Sequence, residues 1–125
     1  MDANTFKFKV VKHGPIRECR VYGPVDSLTC NDFQRAMDKL GHHHGERILL
    51  DGQGLDYINS KGIGCVAALH KRTLLNNGHL ALCGISDRIL KTLELLGLQD
   101  RLHIFHNPEE ARAYLKQDTT PRPGE

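Results

Sequence analysis

Several kinds of chemistry are missing from this chain. Its net charge is only +2, too small to recommend nucleic acid as a partner, and its basic residues form no stripe interleaved with aromatics. No apolar run approaches the roughly 18 residues that suggest a membrane span. Met1 to Thr5 do not begin a basic region followed by an apolar stretch, so no secretory signal is expected and the expected location is cytoplasmic. Cys19, Cys30, Cys65 and Cys83 lack CxxC or other metal-ligand spacing. They read as structural thiols, since cysteine in a strand or helix behaves as a small buried hydrophobe.

Catalytic signatures are also wanting. Gly52-Gln53-Gly54 is a lone GxG, and the third glycine of a dinucleotide loop would fall at Tyr57. Ser60-Lys61-Gly62 holds the letters of a phosphate loop in the wrong order and without its leading glycine. There is no GxSxG elbow, and no spacing selects a Ser/His/Asp triad. The chain therefore reads as a non-enzyme with no cofactor. His42, His43 and His44 lie between Gly41 and Gly45. Three adjacent histidines cannot all face one metal without a contorted loop, so an exposed connection is expected rather than a metal site.

What is present suits one soluble domain: 125 residues, 39% hydrophobic and 26% charged, enough to bury a real core. Phe6, Phe8 and Val10 alternate with Lys7, Lys9 and Val11 in a half-buried strand, broken at His13-Gly14-Pro15, and Ile16 to Tyr22 completes a hairpin. Gly23-Pro24-Val25-Asp26 ends it. Thr29, with Asp32 three positions on, is close to a capping box, and Phe33, Ala36, Met37 and Leu40 give that helix its apolar face. Further on, Asn76-Asn77-Gly78 is a left-handed stop, His79–Cys83 a strand, and Ser86 the cap of a helix over Asp87–Leu96. Gly97-Leu98 fits a Schellman ending. A short strand over Leu102–Phe105 precedes Asn107-Pro108-Glu109-Glu110, a strong helix start. Residues 118–125 are polar and rich in proline, and a disordered tail is expected there, with the domain spanning 1–117. The core is expected to comprise Phe8, Val10, Val21, Ile48, Leu50, Val66, Leu80, Leu82, Leu93, Leu96 and Ile104.

The stretch ERILLDGQGLDYINSKGIG, residues 46–64, organises the rest. Arg47–Asp51 reads as a buried strand, Gly52-Gln53-Gly54 as a loop, and Leu55–Ile58 as an apolar touch too brief to be an element. Asn59 and Ser60 are both good caps, and Ile63, Val66, Ala67, His70 and Leu74 form one helical face. These residues resemble the signature of STAS domains, the fold of bacterial anti-sigma factor antagonists: a strand ending in Asp51, the apolar pair Tyr57-Ile58, then Asn59 to Ile63 opening a helix. Asn59 stands where the family usually has Asp. Lys61 stands where its phosphorylatable Ser or Thr sits.

The resemblance implies an α/β single domain, a mixed sheet with helices packed on it in the order β-β-α-β-α-β-α-β-α, and an edge strand near Phe6–His13. It implies a regulatory binding module that docks on an anti-sigma factor or serine kinase-like protein. The contact surface would hold Asp26, Asn59, Ser60, Lys61, Gly62 and Ile63, with apolar contact around Ile63 governing affinity. Lys61 cannot accept phosphate. It is either a functional cation beside the contact point, against the helix dipole, or a solvated side chain in a relative that has lost the switch. Ser60 is the remaining hydroxyl, with capping the expected role and phosphorylation the alternative. Asp26 is either a cap or a partner contact, and Asp51 and Asp56 read as loop-fixing acids rather than a catalytic pair. The rival reading is a ligand-sensing or scaffold domain holding a small anion or nucleotide at the Ser60–Gly62 amides, or assembling a larger complex.

Overall fold

A computed structural model describes residues 6–117; the tail expected at 118–125 lies outside them. Five strands, β1 (Lys7–His13), β2 (Ile16–Val25), β3 (Arg47–Ile58), β4 (His79–Cys83) and β5 (His103–Phe105), alternate with α1 (Cys30–Met37), α2 (Ser60–Leu75), α3 (Asp87–Leu95) and α4 (Pro108–Lys116) in the expected order. The sheet runs β1-β2-β3-β4-β5. β1 is the edge, antiparallel to β2, and every other pairing is parallel. The opposite edge, β5, has three residues. The sheet is thus mixed, with α1, α2 and α3 packed on one face and α4 on the other.

Local signals set most helix ends. Ser86 Oγ accepts from the Ile89 N–H, and Asn107 Oδ1 accepts from the Glu110 N–H with Pro108 behind it. Two Schellman endings satisfy the last carbonyls of α2 and α3. The Gly78 N–H donates to Thr73 O at 2.8 Å behind Asn77 at φ 61°, and the Leu98 N–H donates to Leu93 O at 2.9 Å behind Gly97.

The larger core joins Cys19, Val21, Ile48, Leu50, Leu80 and Leu82 to Phe33, Met37, Val66, Leu69, Ile89 and Leu93. Phe8 and Ile104 pack partly buried against it. Two residues expected there lie outside. Val10 is 45% exposed: the helices cover its neighbours on the edge strand, with Phe6 edge-on to Phe33, and stop short of it. Leu96 is 53% exposed because it is the C-cap of α3, where the chain turns outward. The buried stripe of α2 is Gly62, Ile63, Val66, Leu69 and Thr73. It is rotated from the expected one, leaving Ala67 and His70 at its margin and Leu74 exposed.

Beneath α4 the packing differs. Ile16, Leu49, Ala81 and Cys83 meet Ala111 and Leu115 in a smaller cluster. Beside it sits the fully buried Glu18, gripped by Arg112 Nε and Nη2 at 3.0 Å each, with His13 at 3.3 Å and Arg20 at 3.4 Å. Burial works to raise the Glu18 pKa, but the Arg112 fork and the neighbouring cations hold it below the ordinary carboxylate value. Tyr114 stacks near His103 and Phe105, with ring centroids 4.9 and 5.3 Å apart, and His70 approaches His103 at 6.2 Å. Cys19 and Cys83 are free thiols pushed up to about 12 by burial.

Candidate functional site

The expected turn after Asp51 is strand. β3 continues through Gly52-Gln53-Gly54 to Ile58, and β2 continues through Gly23-Pro24 to Val25. The two stay paired, Tyr22 with Gly54, Gly23 with Leu55 and Val25 with Ile58, across two register shifts. Turn-forming residues yield here because the ladder supplies their backbone groups with partners. The glycine at 54 serves close approach: a Cβ there would lie 2.3 Å from a ring carbon of Tyr22.

This paired extension delivers the chain to the mouth of α2. The Asn59 N–H donates to Val25 O at 2.9 Å. Asn59, not Ser60, is the N-cap: its Oδ1 accepts from the Gly62 N–H at 2.9 Å. Asn59 is in extended conformation while Ser60 is already helical, which places the Asn59 oxygen over the first free amides. Ser60 is exposed at the first helical position. Gly62 is buried between strands, where a Cβ would lie 2.6 Å from Ile58 and 2.9 Å from Val25, so α2 can sit this low only with glycine there.

Lys61 is exposed, and its Nζ donates to Asn31 Oδ1 in the first turn of α1 at 2.7 Å. No acid lies in the first turn of α2 to offset it. Asp26 opens α1: its Oδ1 accepts from the N–H of Leu28 at 2.9 Å and of Thr29 at 3.2 Å. Thr29, the expected cap, makes no side-chain capping bond to the helix. Its hydroxyl instead donates to Pro24 O at 2.7 Å and accepts from the Asp26 N–H at 2.9 Å.

Asn59, Ser60, Lys61 and Gly62 therefore lie at one mouth, with the α1 start bound to it through Lys61 and Asn31. Ile63 does not share that surface. It is 4% exposed and belongs to the larger core, which corrects the expectation of an apolar docking patch at this residue. Exposed apolar side chains stand close in sequence to two of the expected contact residues: Leu28, two positions after Asp26 and 79% exposed, and Tyr57, two positions before Asn59 and 44% exposed. The Gly62 amide is already engaged by Asn59 Oδ1, while the exposed Lys61 ammonium gives one of its three donors to Asn31. Asp51 and Asp56 form no pair: Asp51 is buried with Oδ1 accepting from the Gln53 N–H, and Asp56 is exposed. His42, His43 and His44 sit on an exposed connection, and among the described residues no three metal-ligating side chains converge. No helix among them is long and apolar enough to cross a membrane.

Two features, one at this mouth and one on the opposite face of the sheet, went unread in the sequence. One is Asn31, the partner of Lys61. The other is the Glu18–Arg112 grip, whose members stand 94 positions apart.

Comparison with known proteins agrees with the geometry. The family model for the STAS domain matches residues 7–111. The anti-sigma-B factor antagonist of Staphylococcus aureus is 26% identical over 92 residues, covering 74% of this chain and 85% of that protein. Among solved structures, an anti-sigma factor antagonist from Mycobacterium paratuberculosis superposes with a TM-score of 0.81 at 15% identity, covering 90% of this chain and 96% of that one. An anti-sigma-factor antagonist (STAS) domain protein from Planctomyces limnophilus superposes with a TM-score of 0.70 at 16% identity, over 88% and 98%.

Proposed function

This chain belongs to the STAS domain family, and we propose that it is a non-enzymatic regulatory module of the anti-sigma factor antagonist type. It works in the cytoplasm by docking on an anti-sigma factor of the serine-kinase kind. The observation that carries this reading is the mouth of α2. Asn59 caps the helix, Gly62 lets it sit against β2 and β3, and Lys61 is held by Asn31 on the outer surface.

Lys61 changes the regulation and adds a charge to the docking surface. Phosphate on a hydroxyl at this position would place about two negative charges at a helix N-terminus. Lysine offers no acceptor and brings the opposite charge. The module is therefore a ligand that phosphorylation at position 61 cannot release, and its exposed cation meets an acidic patch on the partner. Ser60 supports a second form of the same reading. It does not cap, and its exposed position leaves it open to a kinase, so a switch displaced by one residue is the alternative.

The test pairs docking with modification. Lys61→Glu and Leu28→Asp, both at exposed positions, should each weaken capture of the partner kinase about tenfold or more without lowering the melting temperature. Unchanged capture by both variants would move the interface elsewhere. Incubation of the docked wild type with kinase and ATP should leave its intact mass unchanged, and Lys61→Ser should gain one phosphate. Phosphate mapped to Ser60 in the wild type would replace the lost switch with the displaced one.

A further inference from the structure

On the side of the sheet away from α1 and α2, a cleft of about 320 Å³ opens between β2, β3 and the start of α4. Its walls include Glu18, Arg20, Tyr22, Asp51, Gln53 and Arg112. That volume falls within the usual range of small-molecule sites.

The charges in this cleft are arranged unusually. Glu18 and Arg112 satisfy one another through the two-bond fork. Arg20 and Asp51 remain. They are direct partners in register across adjacent parallel strands, close enough for the two charges to meet. Here they do not: among the described residues, Arg20 reaches Glu18, at a long 3.4 Å, and forms no ion pair with Asp51. Its side chain stays about one-third exposed at 35%. Asp51 is buried, with one oxygen engaged by the Gln53 N–H, and a carboxylate has capacity for further donors. A cation and an anion thus stand across from each other at the rim of a cavity without closing it. Tyr22, lying over Gly54 and 40% exposed, adds an aromatic wall.

This pattern selects by charge. A polyphosphate or other polyanion would meet two carboxylates, and a bare cation would meet two guanidiniums. A small molecule carrying one charge of each sign suits both ends. We propose that this cleft binds a free α-amino acid, with its carboxylate on Arg20, its ammonium on Asp51 and its side chain along Tyr22. The site is separate from the mouth of α2, so it neither needs the docking reading nor falls with it.

The test is a titration of the isotope-labelled full chain with each standard L-amino acid in turn, followed by amide chemical shifts, at about 10 mM, above the millimolar range of weak binding. At least one amino acid should shift resonances of residues 18–22, 51–54 and 108–112 saturably. The corresponding acid lacking the amine, and the corresponding carboxamide, should each bind about tenfold or more weakly. Arg20→Gln and Asp51→Asn should reproduce the two losses separately. Where either variant fails to fold, the two analogues on the wild type decide the matter. No saturable shift with any amino acid would overturn the proposal. So would a deaminated analogue binding as well as its parent, or shifts confined to α1 and α2.

Discussion

On the face covered by α1, α2 and α3 the sheet offers Cys19, Val21, Ile48, Leu50, Leu80 and Leu82 in a continuous apolar layer. On the face covered by α4, Leu49, Ala81 and Cys83 share the surface with Glu18 and Asp51. The two faces hold by different means. The first depends on shape and area, which respond to lost volume and hardly to pH. The second depends on a few charge-assisted hydrogen bonds, which respond to the loss of one partner and to protons. A sheet sealed by three helices on one side can tolerate an ionic interior on the other, where a single nine-residue helix supplies both cover and counter-charge.

The strongest way to test this contrast is to open a hole in the apolar layer. Leu50→Ala, at the centre of β3 and 3% exposed, should cost about 2–5 kcal/mol through lost transfer energy and a residual cavity. The loss, read from denaturant curves, should be the same at pH 8 and pH 6. A next and smaller effect belongs to the ionic side. Arg112→Ala removes two hydrogen bonds to a buried carboxylate, while Arg20 and His13 remain beside it. A cost of about 1.5–3 kcal/mol is expected, and it should shrink as acid protonates Glu18. A cost equal at pH 7 and pH 3 would show that Arg112 acts by packing alone.

The smallest effect is the acid profile itself. Burial lowers the His70 and His79 values, with His103 close to both and Arg47 acting on His79. Below about pH 6.5, the ordinary histidine value, the unfolded chain takes up protons that the folded chain refuses. Stability is therefore full above that pH and declines as pH falls through the window. Glu18 adds a second decline. Its contribution is present above the ordinary glutamate value of about 4.3 and is lost as pH falls through its lower folded value. Melting temperature against pH should fall in two stages, and His70→Gln with His79→Gln should flatten the first while leaving the second. A profile with one stage, unchanged by those substitutions, would remove the histidines from the account.

The element order, four of the five strands' central residues and two side-chain helix caps were legible in the sequence because their causes are local. Asn107 before Pro108 and Ser86 before a leucine-rich run carry their own instructions. The long reach of β2 and β3 was not legible. Gly23-Pro24 and Gly52-Gln53-Gly54 are turn signals taken alone, and only the facing strand overrides them. The phase of α2 failed for a related reason. Val66 belongs to the stripe with His70 and to the stripe with Leu69, and the choice is made by α1, where Arg72 donates to Leu40 O and Met37 O. Thr73 can then be buried because its hydroxyl donates back to Leu69 O at 2.7 Å. The candidate site divided in the same way. The capping mouth was readable from Asn59 onward, though the cap fell one residue earlier than Ser60. The burial of Ile63 was implied by its three-residue spacing from Val66, whereas the grip on Lys61 depends on Asn31 of α1, which no spacing within the segment reveals.

The two edges of the sheet limit how anything can attach to this domain. On β1 the exposed positions include Lys7, Lys9 and Lys12, and β5 ends after three residues. A row of lysines and a truncated strand are poor templates for strand addition. Recognition by an extended peptide zipped onto the sheet is thereby disfavoured, and a partner must read side chains presented by helices and loops. An inhibitor of the proposed docking should accordingly be built as a folded surface rather than as a linear β-strand mimic.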